Sequence, residues 1–190
     1  MRRTACLSVL SLGALLAAAC GDPTGSAFDP VIATDTVQIA PPSAEAGALP
    51  SAVDLSIAGG VFGGINGPTR FPERSADASA GWDLTVRSTS GGLVFFPAGA
   101  LGLSFNSGIS PRAEAFESIE RAPEMLAEYV TDAAVPLAVG SVYVARTRQR
   151  GGCVQYSKLR VLEIGAGDAV RLEIVGNERC TDPRLVPRQR

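Results

Sequence analysis

Residues 158–164 run Lys, Leu, Arg, Val, Leu, Glu, Ile, and residues 170–175 run Val, Arg, Leu, Glu, Ile, Val. Apolar and charged positions alternate with period two, the pattern of strands that bury one face of a sheet. Folding the chain at Ala166-Gly167 sets Val161 opposite Leu172 and Leu159 opposite Ile174, with Arg160 opposite Glu173 on the other side. Apolar pairs then share one face and the charge pair the other, whereas a slip of one residue sets Leu159 and Val161 against charges. The loop Gly165-Ala166-Gly167-Asp168 supplies the permissive φ angles such a turn needs. Upstream, residues 140–147 (Gly-Ser-Val-Tyr-Val-Ala-Arg-Thr) read as a further strand, joined through a Gly151-Gly152 turn.

The same register sets Cys153 opposite Cys180, although the cysteines played no part in choosing it. Opposed strand residues are close enough for a disulfide after a slight pinch. A bond closing a loop of about 28 residues contributes roughly 3–4 kcal/mol in the chain-entropy view. The alternative is two separate buried thiols.

Elsewhere the pattern is shorter but similar. Val53, Leu55 and Ile57 alternate, and Gly59-Gly60 ends or bulges that strand. Gly59-Gly60 with Gly63-Gly64 lacks the Lys-Ser/Thr ending and the following helix of a phosphate loop. Residues 63–80 read as a long irregular connection with Asn66-Gly67-Pro68 as a turn. In residues 81–87, Trp82, Leu84 and Val86 line one face. Trp82 is expected in the core, the alternative being an aromatic platform for sugar rings or a porphyrin. Asp83 is expected to point outward or to bond a nearby amide. Residues 88–92 turn the chain, 93–96 return as a partner strand stopped by Pro97, and 101–105 offer one more short strand. Ser110-Pro111 has the form of a helix start, with Ala115, Phe116, Ile119 and Ala122 at helical spacing. Pro123 breaks that helix and residues 124–130 resume it. Many short strands, turns between them and one helical insertion predict a mainly β chain: an antiparallel β-sandwich-like domain over residues 52–180.

Both ends fall outside this domain in the sequence reading. Residues 20–51 carry Pro23, Pro30, Pro41, Pro42 and Pro50, which predicts a tether, with residues 35–40 as an optional short strand. Residues 181–190 hold two prolines and no periodicity, and are expected to be loose. Met1-Arg2-Arg3 is a basic start, residues 5–16 are an apolar run of signal-peptide length, and Ala17-Ala18-Ala19-Cys20 follows. This ending resembles the lipobox of bacterial lipoproteins, although Ala17 stands where leucine is usual. Residues 1–19 are then a lipoprotein signal peptide, and Cys20 is the acylated residue that anchors the chain to a membrane. Ala17-x-Ala19 also satisfies ordinary secretory cleavage, but that reading leaves an odd cysteine in the exported chain. Gly21 after Cys20 resembles proteins sorted to the outer membrane, so the bacterial cell envelope is the expected location.

Composition removes several chemistries. The chain of 190 residues has a net charge of −2 and 46% hydrophobic residues, so no nucleic-acid footprint is present and a core is affordable. There is no histidine, which excludes Ser-His-Asp and Cys-His catalysis and the HExxH zinc site. No G-x-S-x-G or C-x-x-C occurs, and no enzymatic activity is expected. Lys158, the sole lysine, lies on the charged side of its strand and reads as solvated. Arg146, Arg148, Arg150, Lys158 and Arg160 form a positive strip in a meander. Such a strip suits an anionic polysaccharide or lipid headgroup, or merely keeps a sheet edge soluble.

Trp82-Asp83-Leu84 followed by a glycine turn, then Tyr143-x-x-Arg146-Thr147 and Tyr156-x-Lys158-Leu159, resembles the HmuY-like lipoproteins over about residues 53–176. The resemblance implies a β-rich, outer-surface, haem-binding lipoprotein. That family's members hold the iron with histidines, which this chain lacks. Met125, Tyr129, Tyr143 and Tyr156 are the side chains left that can ligate iron, each with core packing as its alternative. The expectation is therefore a ligand-binding module without a resident cofactor, with haem the ligand that the resemblance implies. The alternative is a structural or protein-interaction module of the envelope.

Overall fold

The last hairpin forms in the expected register: Val161 faces Leu172, Arg160 faces Glu173 and Leu159 faces Ile174. A bulge between Arg171 and Leu172 shifts the pairing by one residue toward the turn, where Gly167 and Asp168 both take positive φ. This is a computed structural model, and it describes residues 29–43, 48–56, 68–69, 81–103 and 106–187. The strands in chain order are β1 (Ile32–Ile39), β2 (Ala52–Val53), β3 (Pro68–Thr69), β4 (Leu84–Thr89), β5 (Gly92–Pro97), β6 (Gly108–Arg112), β7 (Val135–Pro136), β8 (Val142–Arg146), β9 (Tyr156–Ile164) and β10 (Val170–Asn177). They make two five-stranded sheets, ordered β1-β10-β9-β8-β6 and β3-β2-β4-β5-β7. Every pairing is antiparallel. The chain is thus mainly β, with a sandwich-like packing of two antiparallel sheets.

The inward faces of the sheets meet in one core. Val37, Ile39, Ile109, Tyr143, Leu159, Val161, Leu172 and Ile174 come from the first sheet, and Val53, Leu84, Val86 and Phe95 from the second. Phe95 and Tyr143 meet edge to face across the gap, ring centroids 5.4 Å apart. Such a pair adds about 0.5–1.5 kcal/mol beyond the area it buries.

Several expectations need correction, the last of them the tail. Residues 32–39 are a full strand on the edge of the first sheet, paired with β10 along eight residues, so the stretch assigned to a tether contributes to the fold. Its β-branched residues and the positions of Pro30 and Pro41 outside it explain why it pairs. Residues 110–130 do not make a helix. Ser110 and Pro111 lie in β6, and the remainder holds single 3-10 turns at Phe116–Ser118 and Leu126–Glu128. Of the short strand expected over 101–105, Leu101 instead ends a 3-10 turn, Ala98–Leu101, and residues 102–103 are not in a strand, while residues 104–105 and the glycine-rich stretch 57–67 lie outside the described residues. The tail is the last correction. Leu185 is 1% exposed, and the Leu185 and Ala122 amides donate to Glu120 and Pro183 carbonyls.

Two of these corrections are connected. The segment after β6 and the tail lie on the outer face of the first sheet, where Ile119, Ala122, Tyr129 and Leu185 pack on Val144, Val154 and Tyr156. β8 and β9 are therefore covered on both sides. Gly108 is where the covering segment comes closest: a Cβ there would sit 2.7 Å from that of Tyr129. Only glycine fits that approach.

Candidate functional site

The densest group of charged side chains in the described interior lies at the end of the sandwich where β4 begins and β8 ends. Asp83, just before β4, is fully buried. One carboxylate oxygen accepts the Leu55 amide at 2.8 Å, and the other accepts the Arg148 amide at 2.8 Å. Asp54, just after β2, accepts the Ser56 amide at 3.0 Å and the Ser56 hydroxyl. Arg148 lies between the two acids, one guanidinium nitrogen 2.9 Å from Asp83 and the other 3.0 Å from Asp54. Arg150, half-exposed, approaches Asp54 at 3.6 Å. Gly81 opens the chain beside this group, its Cβ direction facing Arg150, Asp54 and Arg148 at 3.7–4.0 Å.

Two sheets supply these groups, so the cluster is a charged clamp across the sandwich. Asp54 and Asp83 flank β2 and β4 of the second sheet, whereas Arg148 and Arg150 extend from β8 of the first. Burial pushes the Asp83 carboxyl up to about 6 from 3.8, because desolvation outweighs the attraction of Arg148, and the neighbouring Asp54 adds to the rise. Both Asp83 oxygens are engaged and none of its surface meets solvent. As found, the pair of acids holds backbone and guanidinium in place, with Arg148 bridging them.

Only part of this cluster is legible in the sequence. Asp83 does bond nearby amides, yet it points inward. Trp82 is core, at 1% exposure, but in a separate cluster with Ala52, Ala98, Leu101 and Leu103. The strand begins only at Leu84, so period two does not carry the Trp82 face back to Leu84 and Val86. Asp54 and the bridging role of Arg148 were missed. Their signal was an acid within or beside each of two apolar strand runs, opposed by an arginine at the end of a third.

The positive strip does not exist as a free surface. Arg146 donates to the Asn106 carbonyl at 2.6 Å, Arg148 is inside the clamp, and Arg160 pairs with Glu173 and Glu117 at 2.6 and 2.7 Å. Lys158 is not solvated: it is 4% exposed, and its ammonium donates to the Phe116 and Ile119 carbonyls at 2.9 and 3.0 Å. That ammonium also lies 4.8 Å from the Phe116 ring centre, with the Arg160 guanidinium at 4.7 Å from the same ring. Desolvation lowers the Lys158 pKa.

Cys153 and Cys180 are bonded, with Cα atoms 5.0 Å apart. Arg150 and Cys153 exchange backbone hydrogen bonds beside the bond, and the Thr181 amide donates to the Val154 carbonyl. A shallow groove of about 460 Å³ runs alongside, lined by Arg179, Cys180, Thr181, Asp182 and Arg184. Cys20 lies outside the described residues. Of the candidate iron ligands, Tyr129 and Tyr143 are buried and donate their hydroxyls to the Pro123 and Pro136 carbonyls at 2.7 and 2.6 Å. Burial raises the pKa of both. Tyr156 is buried under the covering layer, and Met125, at the start of that layer's second 3-10 turn, is exposed. Tyr129 and Tyr156 share the outer cluster, whereas Tyr143 lies in the core between the sheets, so the four do not line one space. Among the described residues no group of three or more His, Cys, Asp or Glu is placed to hold a metal ion.

No family model, no curated protein and no solved structure matches this chain.

Proposed function

We propose that the chain is a lipoprotein of the bacterial cell envelope, anchored through Cys20, whose β-sandwich serves as a non-enzymatic binding module. The observation that carries this reading is the Cys153–Cys180 disulfide. It suits an oxidising compartment outside the cytosol. It also uses two of the four cysteines, and Cys6 leaves with the leader, so Cys20 is the odd one of the mature chain. That residue stands directly after a basic start, a short apolar run and Ala17-Ala18-Ala19. Two acyl chains on one residue meet the two-signal requirement for stable anchoring, and Gly21 fits transfer to the outer membrane. Mass spectrometry of the mature N-terminus from native membranes is the test. A diacylated Cys20 is expected, and an unmodified Cys20 refutes the anchor.

The resemblance to HmuY-like proteins makes haem the first ligand to try. A second reading, an interaction module with no small ligand, draws support from the tyrosine hydroxyls, which are bound to backbone carbonyls. Titration with haemin separates the two. A saturable Soret shift at stoichiometric haemin supports the carrier reading, and a spectrum that never departs from free haemin supports the interaction module.

A further inference from the structure

We propose that the sandwich stands on the membrane with a fixed polarity: the end carrying Asp29, Val31 and residues 178–182 faces the bilayer. The opposite end, carrying the β4–β5 turn and residues 165–168, faces away from the bilayer. This rests on acylation of Cys20.

The chain joins the domain at one end of the first sheet. The Arg179 side chain donates to the Asp29 carbonyl, the Glu178 amide donates to the Val31 carbonyl, and the Val31 amide donates to the Asn177 side chain. β1 then pairs along its whole length with β10, Ile32 beside Asn177 and Ile39 beside Val170. The chain is thus tied to one end of the first sheet from Asp29 onward. The disulfide, the start of β9 and the charged clamp sit at that same end. The far end is equally defined. Ser88 donates to the Asp168 carboxylate at 2.7 Å, joining the β4–β5 turn of one sheet to the β9–β10 turn of the other. Gly140 donates to the Val161 carbonyl nearby.

Length turns this geometry into an orientation. Nine peptide links separate Cys20 from Asp29, and they reach about 30 Å at full extension. The eight residues of β10 alone span about 26 Å from one end of the sandwich to the other. Setting the far end on the bilayer therefore uses nearly all of the reach, running back along the whole domain. Setting the Asp29 end there uses almost none, and the entropy cost of stretching falls on one orientation only. The partner of the near end is a lipid surface. The end directed away from the bilayer carries Ser88, Thr89, Ser90 and residues 165–168, all exposed.

The test uses the full-length protein, purified from native membranes and placed in vesicles whose headgroups bear a quencher. A fluorophore is attached at Val31→Cys, a position 42% exposed, or at Ser90→Cys, with Ala166→Cys as a second site at the far end. Mass spectrometry confirms the native disulfide in each. Quenching several-fold stronger at Val31→Cys than at both far-end sites is expected. Equal or stronger quenching at the far end, in protein that floats with the vesicles, overturns the polarity while leaving the anchor intact. Failure of the unlabelled parent to float removes the anchor and the orientation together.

Discussion

Replacing Arg148 with methionine isolates what the clamp contributes. The side chain is 3% exposed and bridges two carboxylates at 2.9 and 3.0 Å. Methionine keeps most of the stem volume and removes the charge. Asp83 is then a fully buried anion whose oxygens retain the Leu55 and Arg148 amides as their remaining partners. Removing one member of a buried pair costs about 3–5 kcal/mol, a large share of the roughly 5–15 kcal/mol that holds a domain. The cost has a ceiling, because Asp83 escapes by binding a proton. With a folded value of about 6 against 3.8 unfolded, the unmodified protein already carries about 3 kcal/mol of that cost at pH 7.5, so complete protonation adds only about 2 kcal/mol there and almost nothing at pH 5. Urea unfolding with the disulfide intact, followed by the emission of the single tryptophan, measures it. Urea is chosen because guanidinium screens charge. Arg148→Met is expected to lose about 2 kcal/mol at pH 7.5 and well under about 1 kcal/mol at pH 5. Adding Asp83→Asn is expected to restore at least half of the loss at pH 7.5. A loss below about 1 kcal/mol at pH 7.5, or one that does not change with pH, refutes the clamp as a charge-balanced unit.

The same carboxyl sets a pH dependence of the unmodified protein. Its folded value, about 6, lies above its unfolded value, so its contribution is greatest below about pH 4 and is lost as pH rises to about 6. Relative to Asp83→Asn, the unmodified protein is therefore expected to gain about 2 kcal/mol between pH 7.5 and pH 4.5; a relative loss reverses the sign of the argument. Trp82→Ala is expected to cost about 3–5 kcal/mol, and Trp82 to emit at short wavelength and resist acrylamide. Red, readily quenched emission supports the aromatic platform instead. Reducing the Cys153–Cys180 bond, which closes a separation of 27 residues, is expected to lower stability by roughly 3–4 kcal/mol in urea, and an unchanged midpoint shows that the bond constrains nothing.

What the sequence made legible was local. The β9–β10 register follows from alternation within some twenty residues around one turn, and the disulfide follows from that register. The β4–β5 hairpin reads for the same reason. The clamp did not read, because its three contributors come from residues 54, 83 and 148, and only the packing of one sheet on the other brings them together. Period two also marks Asp83 as outward, but the strand starts after it, and a carboxylate that finds two amides and a guanidinium is satisfied inside. Ser110-Pro111 misled for a related reason. A serine followed by proline caps a helix, but proline also suits an edge strand, where its missing N–H leaves no ladder bond unmade. β6 is such an edge.

Lys158 shows why a correct face assignment still gave the wrong environment. Alternation puts it opposite Leu159, on the outer side of β9, and the structure agrees. An outer face of a sheet is wet only if nothing covers it, and here the segment after β6 and the tail do. The chain dips back at Gly108, whose missing side chain admits Tyr129, and it returns at Leu185 to seal the layer. The backbone of that layer turns at Phe116–Ser118, outside any ladder, so carbonyls there need donors. Lys158 supplies two of them and lays its charge against the Phe116 ring. The lysine and the irregular segment therefore account for each other. Residues 113–130 satisfy their backbone outside a helix, through Lys158 at Phe116 and Ile119, the tail at Glu120 and Ala122, and Ile109 at Val130, and the sole lysine is buried because that backbone lies over it.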